Sequence, residues 1–387
     1  MSGPCLNPAD GALCATWAVI TGEYPPQPGG VSDYTRMVAL GLADAGDEVH
    51  VWAPETGQPT PEEHGVQVHR IPGGFGPKSL SSLSAALNRL PLSSRILVQY
   101  VPQAYGWKAM NIPFCLWLAS RKQPVWVLYH EVAFPFRRSQ STRLNFLALV
   151  THGMASVLAY FAQRVFVSIP AWKQMLARGR PVEWLPIPST VPTRVDSAAV
   201  ACVRKKLAPA PPEGVLIGHF GTYGPHIAPL LNQILPPLLT ADGKRRIHLL
   251  GGGGAQFAAD FRNSFPQFAD RITAPGRLPG EEVATHLAAC DLLIQPYADG
   301  VSSRRTSVMA GLALGLPILT TEGHLTEPVW AESGAVGLVP ALAPEEFLRA
   351  AEALLACPES LRDLGARAAA LYRDRFDLAN TIRALRA

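Results

Sequence analysis

The chain has 387 residues, 48% of them hydrophobic and 17% charged, with a formal net charge of +4. That length exceeds what one core usually supports and points to two domains, while the apolar content excludes a disordered chain. The mild basic balance, whose longest run is Arg204 to Lys206, excludes a nucleic-acid footprint and suits small anionic ligands or a lipid surface.

Residues 1–14 lack a basic stretch ahead of an apolar core, so they read as a short lead rather than a secretory signal. Cys5, Cys14, Cys115, Cys202, Cys290 and Cys357 are scattered, with no CxxC pair and no histidine cluster at metal spacing. Neither a disulfide framework nor a metal site is expected, and a reducing cytoplasm fits. The stretch 15–24 predicts a strand, followed by a glycine break and a helix over 32–46 that Gly46 stops. Further strands are expected at 48–54, 66–72, 95–102, 124–131, 164–170 and 182–188, with helices near 80–89, 109–121, 143–162 and 171–178. The apolar stretch 144–163 is flanked by Arg137, Arg138, Arg143 and Arg164 and contains Asn145 and His152, which makes a membrane span costly. It reads as a core helix, with contact at a membrane surface as the alternative.

Residues 186–197, dense in proline and turn formers, mark a linker. A second series then begins, with strands at 214–221, 245–252, 271–276, 291–297, 316–321 and 335–340, and helices near 226–240, 256–264, 281–289, 306–315 and 326–332. The tail is helical and divided by Pro358. Strands alternating with helices throughout argue parallel sheets covered on both faces, hence an α/β chain of two doubly wound, Rossmann-like halves in tandem.

In such sheets ligands bind beyond the carboxyl ends of the strands. The loop "GEYPPQPGGVSDYT" has three prolines to stiffen it, Gly29 and Gly30 to let backbone approach a ligand, and Ser32 or Asp33 to cap the next helix. It reads as an anion cradle, or as a loop that merely turns. It is not a GxGxxG dinucleotide fingerprint. His130 and Glu131 end a buried strand, where the imidazole could hydrogen-bond a ligand or shuttle a proton. Arg304 and Arg305 stand at the mouth of the helix expected at 306–315. Cations are unfavourable at a helix N-terminus, so a bound diphosphate explains them, unless they pair with Asp299 and with Glu322 or Glu327.

The order and spacing of "EYPPQPGGVSDYTRMVALGLADAGDEVHVWAP", His130, "HLLGGG", "PYADGVSSRRTSVMAGLALGLPILTT" and "YRDRFDLANTIRALR" resemble the retaining GT-B glycosyltransferases of family 4 over essentially the whole chain. The resemblance implies two Rossmann-like domains facing a central cleft, with residues 1–192 on the acceptor side, 193–370 binding the donor, and a C-terminal helix over 371–387 crossing back. It implies transfer of a sugar from a nucleotide sugar, UDP- or GDP-linked, to a glycan, lipid-linked or small-molecule acceptor, without cofactor or metal. His130 and Asp299 would be the catalytic residues. Gly29, Gly30, Thr222, Tyr223, Gly300, Val301, Ser302, Arg304, Arg305 and Ser307 would bind the donor, the Gly300 and Val301 amides lying near the sugar. Ser32, Glu131, Arg137 and Arg138 would lie on the acceptor side, where the basic, aromatic loop 133–143 suits an anionic acceptor or peripheral contact with the inner face of a membrane.

Two departures from the family pattern stand out. Ser307 occupies the place of a ribose-binding glutamate, and the family's Arg and Lys are missing from "GHFGTYGPHIAPLL", where His219, Thr222 and Tyr223 stand. Arg304 and Arg305 would then supply the charge that loop lacks. The alternative is a catalytically degenerate protein that binds a nucleotide or a partner.

Overall fold

The computed structural model describes residues 14–59, 62–176, 180–208 and 214–387. Cys5, the lead before Cys14 and the end of the helix expected at 171–178 lie outside them. The chain divides into two units. The first holds residues up to Pro186 together with Leu378–Ala387, and the second spans Ile187–Asp377.

In the first unit, β1 (Thr16–Thr21), β2 (Glu48–Pro54), β3 (Val66–Ile71), β4 (Arg95–Tyr100), β5 (Val125–Tyr129), β6 (Arg164–Val167) and β7 (Glu183–Trp184) form one parallel sheet in the order β3-β2-β1-β4-β5-β6-β7. Strand β1 is central, with Trp17 in register with Val49 on one side and Arg95 on the other. Five consecutive residues of β1, Trp17 to Thr21, are buried. Such a run, rather than an alternating one, belongs to a strand covered on both faces. The covering helix Gly30–Asp44 turns Tyr34, Val38 and Leu42 inward at helical spacing.

The second unit repeats the design with β8 (Val215–Phe220), β9 (Arg245–Leu250), β10 (Ile272–Thr273), β11 (Leu292–Gln295), β12 (Ile318–Glu322) and β13 (Gly337–Pro340), in the order β10-β9-β8-β11-β12-β13. Its core gathers Ile217, Leu235, Leu249, Phe261 and Phe347 from strands and helices alike. In each sheet the chain reverses direction beside its first strand, between β1 and β4 and between β8 and β11. The crevice at such a reversal is where ligands of this architecture sit.

The unit boundary falls at Pro186, earlier than the expected 192, because the proline-rich segment is fastened into the second unit. The Ile187 amide donates to the Ser303 carbonyl at 3.2 Å, and the Ser189 amide to the Tyr372 hydroxyl at 3.1 Å. A helix over Ser197–Leu207 follows, which the composition of the stretch concealed. Its signal was Asp196, whose side chain caps the Ala198 amide at 3.0 Å. At the far end the chain rejoins the first unit at Leu378 rather than at 371. There the carbonyls of Ala384 and Leu385 accept from Arg164 and Arg95, and Arg386 meets the buried Asp47 carboxylate at 3.2 Å.

The helix expected at 143–162 forms over Thr142–Phe161, but its side chains are only one-third buried. The reading of it as a core helix holds for one face, which carries Met154, Ala155 and Leu158 into the first unit's core. Ala148, Thr151, Met154, Ala155 and Leu158 pack inward while Phe146, Leu149, Tyr160 and Phe161 face solvent.

Candidate functional site

The loop after β1 carries a feature that the glycines had suggested for a ligand. Glu23 Oε1 accepts from the amides of Val31 and Ser32, at 3.1 and 3.0 Å, and so caps the helix Gly30–Asp44 with the chain's own carboxylate. A Cβ at Gly29 would collide with that carboxylate. The Ser32 hydroxyl, expected as a cap, donates instead to the Gln27 carbonyl at 2.6 Å, and the helix has no side-chain cap at Gly29. The Gly29–Gly30 cradle is thus filled from within, because a carboxylate eight and nine residues upstream of the free amides reaches them first. The signal in the sequence was an acidic residue placed between a strand and a helix N-terminus.

His130 follows β5, and its amide donates to the Tyr100 carbonyl. Its Nε2 lies 2.7 Å from Gln99 Oε1, and Tyr34 meets the ring edge-on at 4.9 Å. With that oxygen accepting, the proton sits on Nε2 and Nδ1 is left as an acceptor. Burial pushes the His130 pKa down to about 3. A group so weakly basic is neutral near pH 7 and cannot act as a proton shuttle there, so the proton-transfer reading gives way to hydrogen bonding. Glu131 is exposed and held by Gln103 at 3.0 Å. Arg137 and Arg138 lie on an exposed loop tied through Asn145 to the first turn of helix Thr142–Phe161.

In the second unit three loops converge beyond the sheet edge. Gly251, at φ +102°, lies so close to Gly221 that a Cβ there would stand 2.2 Å from the Gly221 carbonyl oxygen, so only glycine fits. His219 ends β8 and donates from Nδ1 to the Ile294 carbonyl at 2.8 Å. Its Nε2 is then an unprotonated acceptor, buried and without a partner among the described residues. Burial holds its pKa near 4, outweighing the Ile294 hydrogen bond. Thr222 is exposed, whereas the Tyr223 hydroxyl is spent on the carbonyls of His219 and Leu250.

The third loop joins β11 to the helix Thr306–Ala313. Gly300 takes φ +86° where a Cβ would meet the Gly323 nitrogen and Thr326 Oγ1, both at 2.3 Å. The amides expected to face a donor are occupied, Gly300 with the Tyr297 carbonyl at 3.3 Å and Val301 with that of Thr321 at 2.7 Å, because the loop is knitted onto the end of β12. Asp299 stays partly exposed, at 26%, and meets Arg305 at 2.5 Å and Arg304 at 3.5 Å. Arg305 also lies over the Tyr297 ring, 4.4 Å from its centroid. The Tyr297 hydroxyl contacts Ser307 Oγ at 2.8 Å, and burial pushes its pKa up to about 12.

Glu327 was a candidate partner for the arginines. It turns instead to Ser303, whose amide and hydroxyl both donate to it, and to Trp330 Nε1 at 2.6 Å. Burial raises its pKa against these bonds.

Two guanidiniums therefore share one carboxylate at the start of a helix. Around them Ser302 Oγ and Arg305 Nε are buried without partners among the described residues, as is His219 Nε2. Ser307 Oγ and His219 Nε2 approach the same space, each within 3.9 Å of a Cβ built on Gly221. Buried polar atoms are nearly always satisfied, so a cluster of unsatisfied ones around surplus positive charge is arranged for a polar, anionic ligand.

The buried histidines carry a consequence for acid stability. His130, His219 and His248 have folded pKa values of about 3, 4 and 3, below the ordinary histidine value. The unfolded chain thus takes up protons that the fold refuses. Stability is full above the unfolded value and falls as pH drops through roughly 6.5 toward 4, by about 1.4 kcal/mol per pH unit for each histidine. Denaturant titrations across that range are expected to show this slope, shallower by one proton in His219→Asn. An unchanged slope in the variant would rule His219 out as a contributor.

Fold and site together define a two-domain GT-B glycosyltransferase. Residues 29–183 match the glycosyl transferase 4-like domain and residues 213–357 match glycosyl transferases group 1, and the chain belongs to this family of sugar transferases. No curated protein matches it in sequence. Among solved structures it is similar to sucrose-phosphate synthase of Thermosynechococcus elongatus, at TM-score 0.73 and 15% identity over 96% of this chain and 97% of that one. It is also similar to Anabaena HepE in complex with UDP, at TM-score 0.68 and 14% identity over 96% and 98% of the two chains. A trehalose-phosphate synthase (UDP-forming) from Burkholderia xenovorans, in complex with glucose-6-phosphate, gives TM-score 0.64 and 9% identity over 96% and 99%.

Proposed function

We propose that the second unit holds a uridine-diphosphate sugar and that the enzyme transfers its sugar, with retained anomeric configuration, to a hydroxyl of a sugar-containing acceptor without a metal. The observation that carries this is the shared Asp299 carboxylate between Arg304 and Arg305, with His219 Nε2 and Ser302 Oγ buried and without partners among the described residues. As the bond from sugar to phosphate breaks, the electron pair moves to the departing diphosphate oxygen. Guanidiniums and a helix N-terminus stabilise the charge that builds there. The acceptor hydroxyl oxygen forms the new bond to the sugar, and its proton passes to the departing diphosphate oxygen. Asp299 accepts from a sugar hydroxyl, and His219 Nε2 and Ser307 take hydroxyls of the donor. In the first unit His130, neutral and held by Gln99, keeps Nδ1 as an acceptor for a ligand hydroxyl.

Uridine is favoured because HepE is described with UDP and with UDP-glucose, and the Burkholderia enzyme as UDP-forming. A thermal-melt panel of UDP, GDP, ADP and dTDP tests the reading. A ligand at about 100 times its dissociation constant adds roughly 2.7 kcal/mol, and each kcal/mol moves the midpoint by about 2–4 °C for domains of this size. UDP is expected to raise the midpoint while the other bases leave it, and His130→Ala to keep the UDP shift while losing transfer. A shift with another base alone overturns the choice of uridine, and no shift with any overturns the donor site.

A further inference from the structure

We propose that the face formed by helices Thr142–Phe161 and Ile112–Ala119, together with the loop carrying Phe136 to Arg138, docks in the headgroup layer of an anionic lipid bilayer. Between Leu144 and Phe161 the chain carries no charged residue, yet Phe146, Leu149 and Tyr160 are 58%, 60% and 63% exposed. Singly exposed apolar residues are ordinary, but a contiguous apolar helix face marks an interaction surface. Helix Ile112–Ala119 packs beside it and leaves Ile112 and Leu116 exposed one turn apart. Phe136 lies against His152 of the long helix, ring centroids 4.9 Å apart, so the arginine loop is fastened to the same element.

The entry to the shorter helix is a turn in which Trp107, Lys108 and Ala109 all take positive φ, and it holds Trp107 half-exposed beside Lys108. Non-glycine residues rarely adopt that conformation, and an outward tryptophan next to a lysine suits the boundary between acyl chains and water.

Charge selects the occupant. From His64 to Val182 the chain has fourteen lysines and arginines and a single acid, Glu131, although the whole chain carries a net charge of only +4. A second copy meeting this face symmetrically would oppose like charges, whereas an anionic bilayer answers both the cations and the apolar side chains. The helix lies on the surface rather than spanning it, because Met154, Ala155, Leu158 and Ala159 are already committed to the first unit's own core.

The test is flotation of the full-length protein with vesicles of phosphatidylcholine alone and of phosphatidylcholine mixed with phosphatidylglycerol. Flotation is expected with the anionic vesicles only, and is expected to weaken as salt rises above roughly 0.1 M. Arg137→Glu/Arg138→Glu should lower partitioning by about 25-fold or more, at roughly fivefold per cation lost. Phe146→Ser/Leu149→Ser should lower it with no change in melting midpoint, since both side chains are exposed. Absence of flotation with anionic vesicles at low salt overturns the proposal, as does equal flotation of Phe146→Ser/Leu149→Ser. So does a stable dimer in light scattering that Phe146→Ser/Leu149→Ser dissociates, which would make a second copy the occupant.

Discussion

Arg305→Ala is expected to weaken UDP binding by about 30- to 100-fold, a loss of roughly 2–3 kcal/mol of the size seen when one member of a hydrogen-bonded charge pair is removed. Two effects act in the same direction. The guanidinium that stacks on Tyr297 and bonds Asp299 no longer reaches the diphosphate, and the Asp299 carboxylate it neutralised is released toward the same anion. Asp299→Asn separates the two effects. With the competing carboxylate gone, Arg305 turns fully to the phosphates, so UDP binding is expected to hold or tighten while sugar transfer falls, because the sugar hydroxyl has lost its acceptor. Arg305→Lys should recover only part of the loss, since an ammonium neither stacks as well nor forms the planar fork. Calorimetric titration of UDP into the three variants decides the matter. Unchanged affinity in Arg305→Ala would mean that the arginine serves only Asp299.

Glu327→Ala is expected to cost about 3–5 kcal/mol of stability, the largest single-residue effect foreseen away from the apolar core. This carboxylate is buried and collects the Ser303 amide, the Ser303 hydroxyl and the Trp330 indole, so its removal strands three donors with no solvent to replace it. Glu327→Gln, which keeps one acceptor oxygen, should lose roughly half as much. Because Ser303 immediately precedes the arginine pair, the alanine variant should also lose UDP affinity even below its melting temperature. Denaturant melts of the two variants, read with and without UDP, are the check. A fully stable Glu327→Ala would show that water reaches Ser303 and Trp330.

The strands were legible because a doubly covered strand is a local signal. "TWAVIT" and "DLLIQPY" declare burial on both faces in a handful of consecutive residues, and the glycine after each tells where the chain leaves the sheet. The arginine doublet was legible for a similar reason, since two cations before a helix are an oddity that needs an anion. Glu23 was not, because a carboxylate ahead of a glycine-rich loop reads equally as a ligand contact or as a cap, and only the distance to the Val31 and Ser32 amides distinguishes them. His130 was legible as a strand-end histidine, but its chemistry was not. Its setting between Gln99 and Tyr34, contributed by other elements, is what removes its basicity.

By itself the sequence determined the alternation of strands and helices, the two tandem sheets and the family, because all of these rest on period, spacing and turn chemistry over short reach. Only the tertiary structure decided which group satisfies which. It set Glu23 on the first helix, Asp299 between two arginines and Glu327 on Ser303, since those partnerships join residues 5 to 24 positions apart through folded loops. It also decided that the apolar helix Thr142–Phe161 turns one face, carrying Phe146, Leu149 and Tyr160, to solvent. Composition there is the same for a core helix and for an interfacial one, and only the neighbours that pack against it, on one side and not the other, settle the difference.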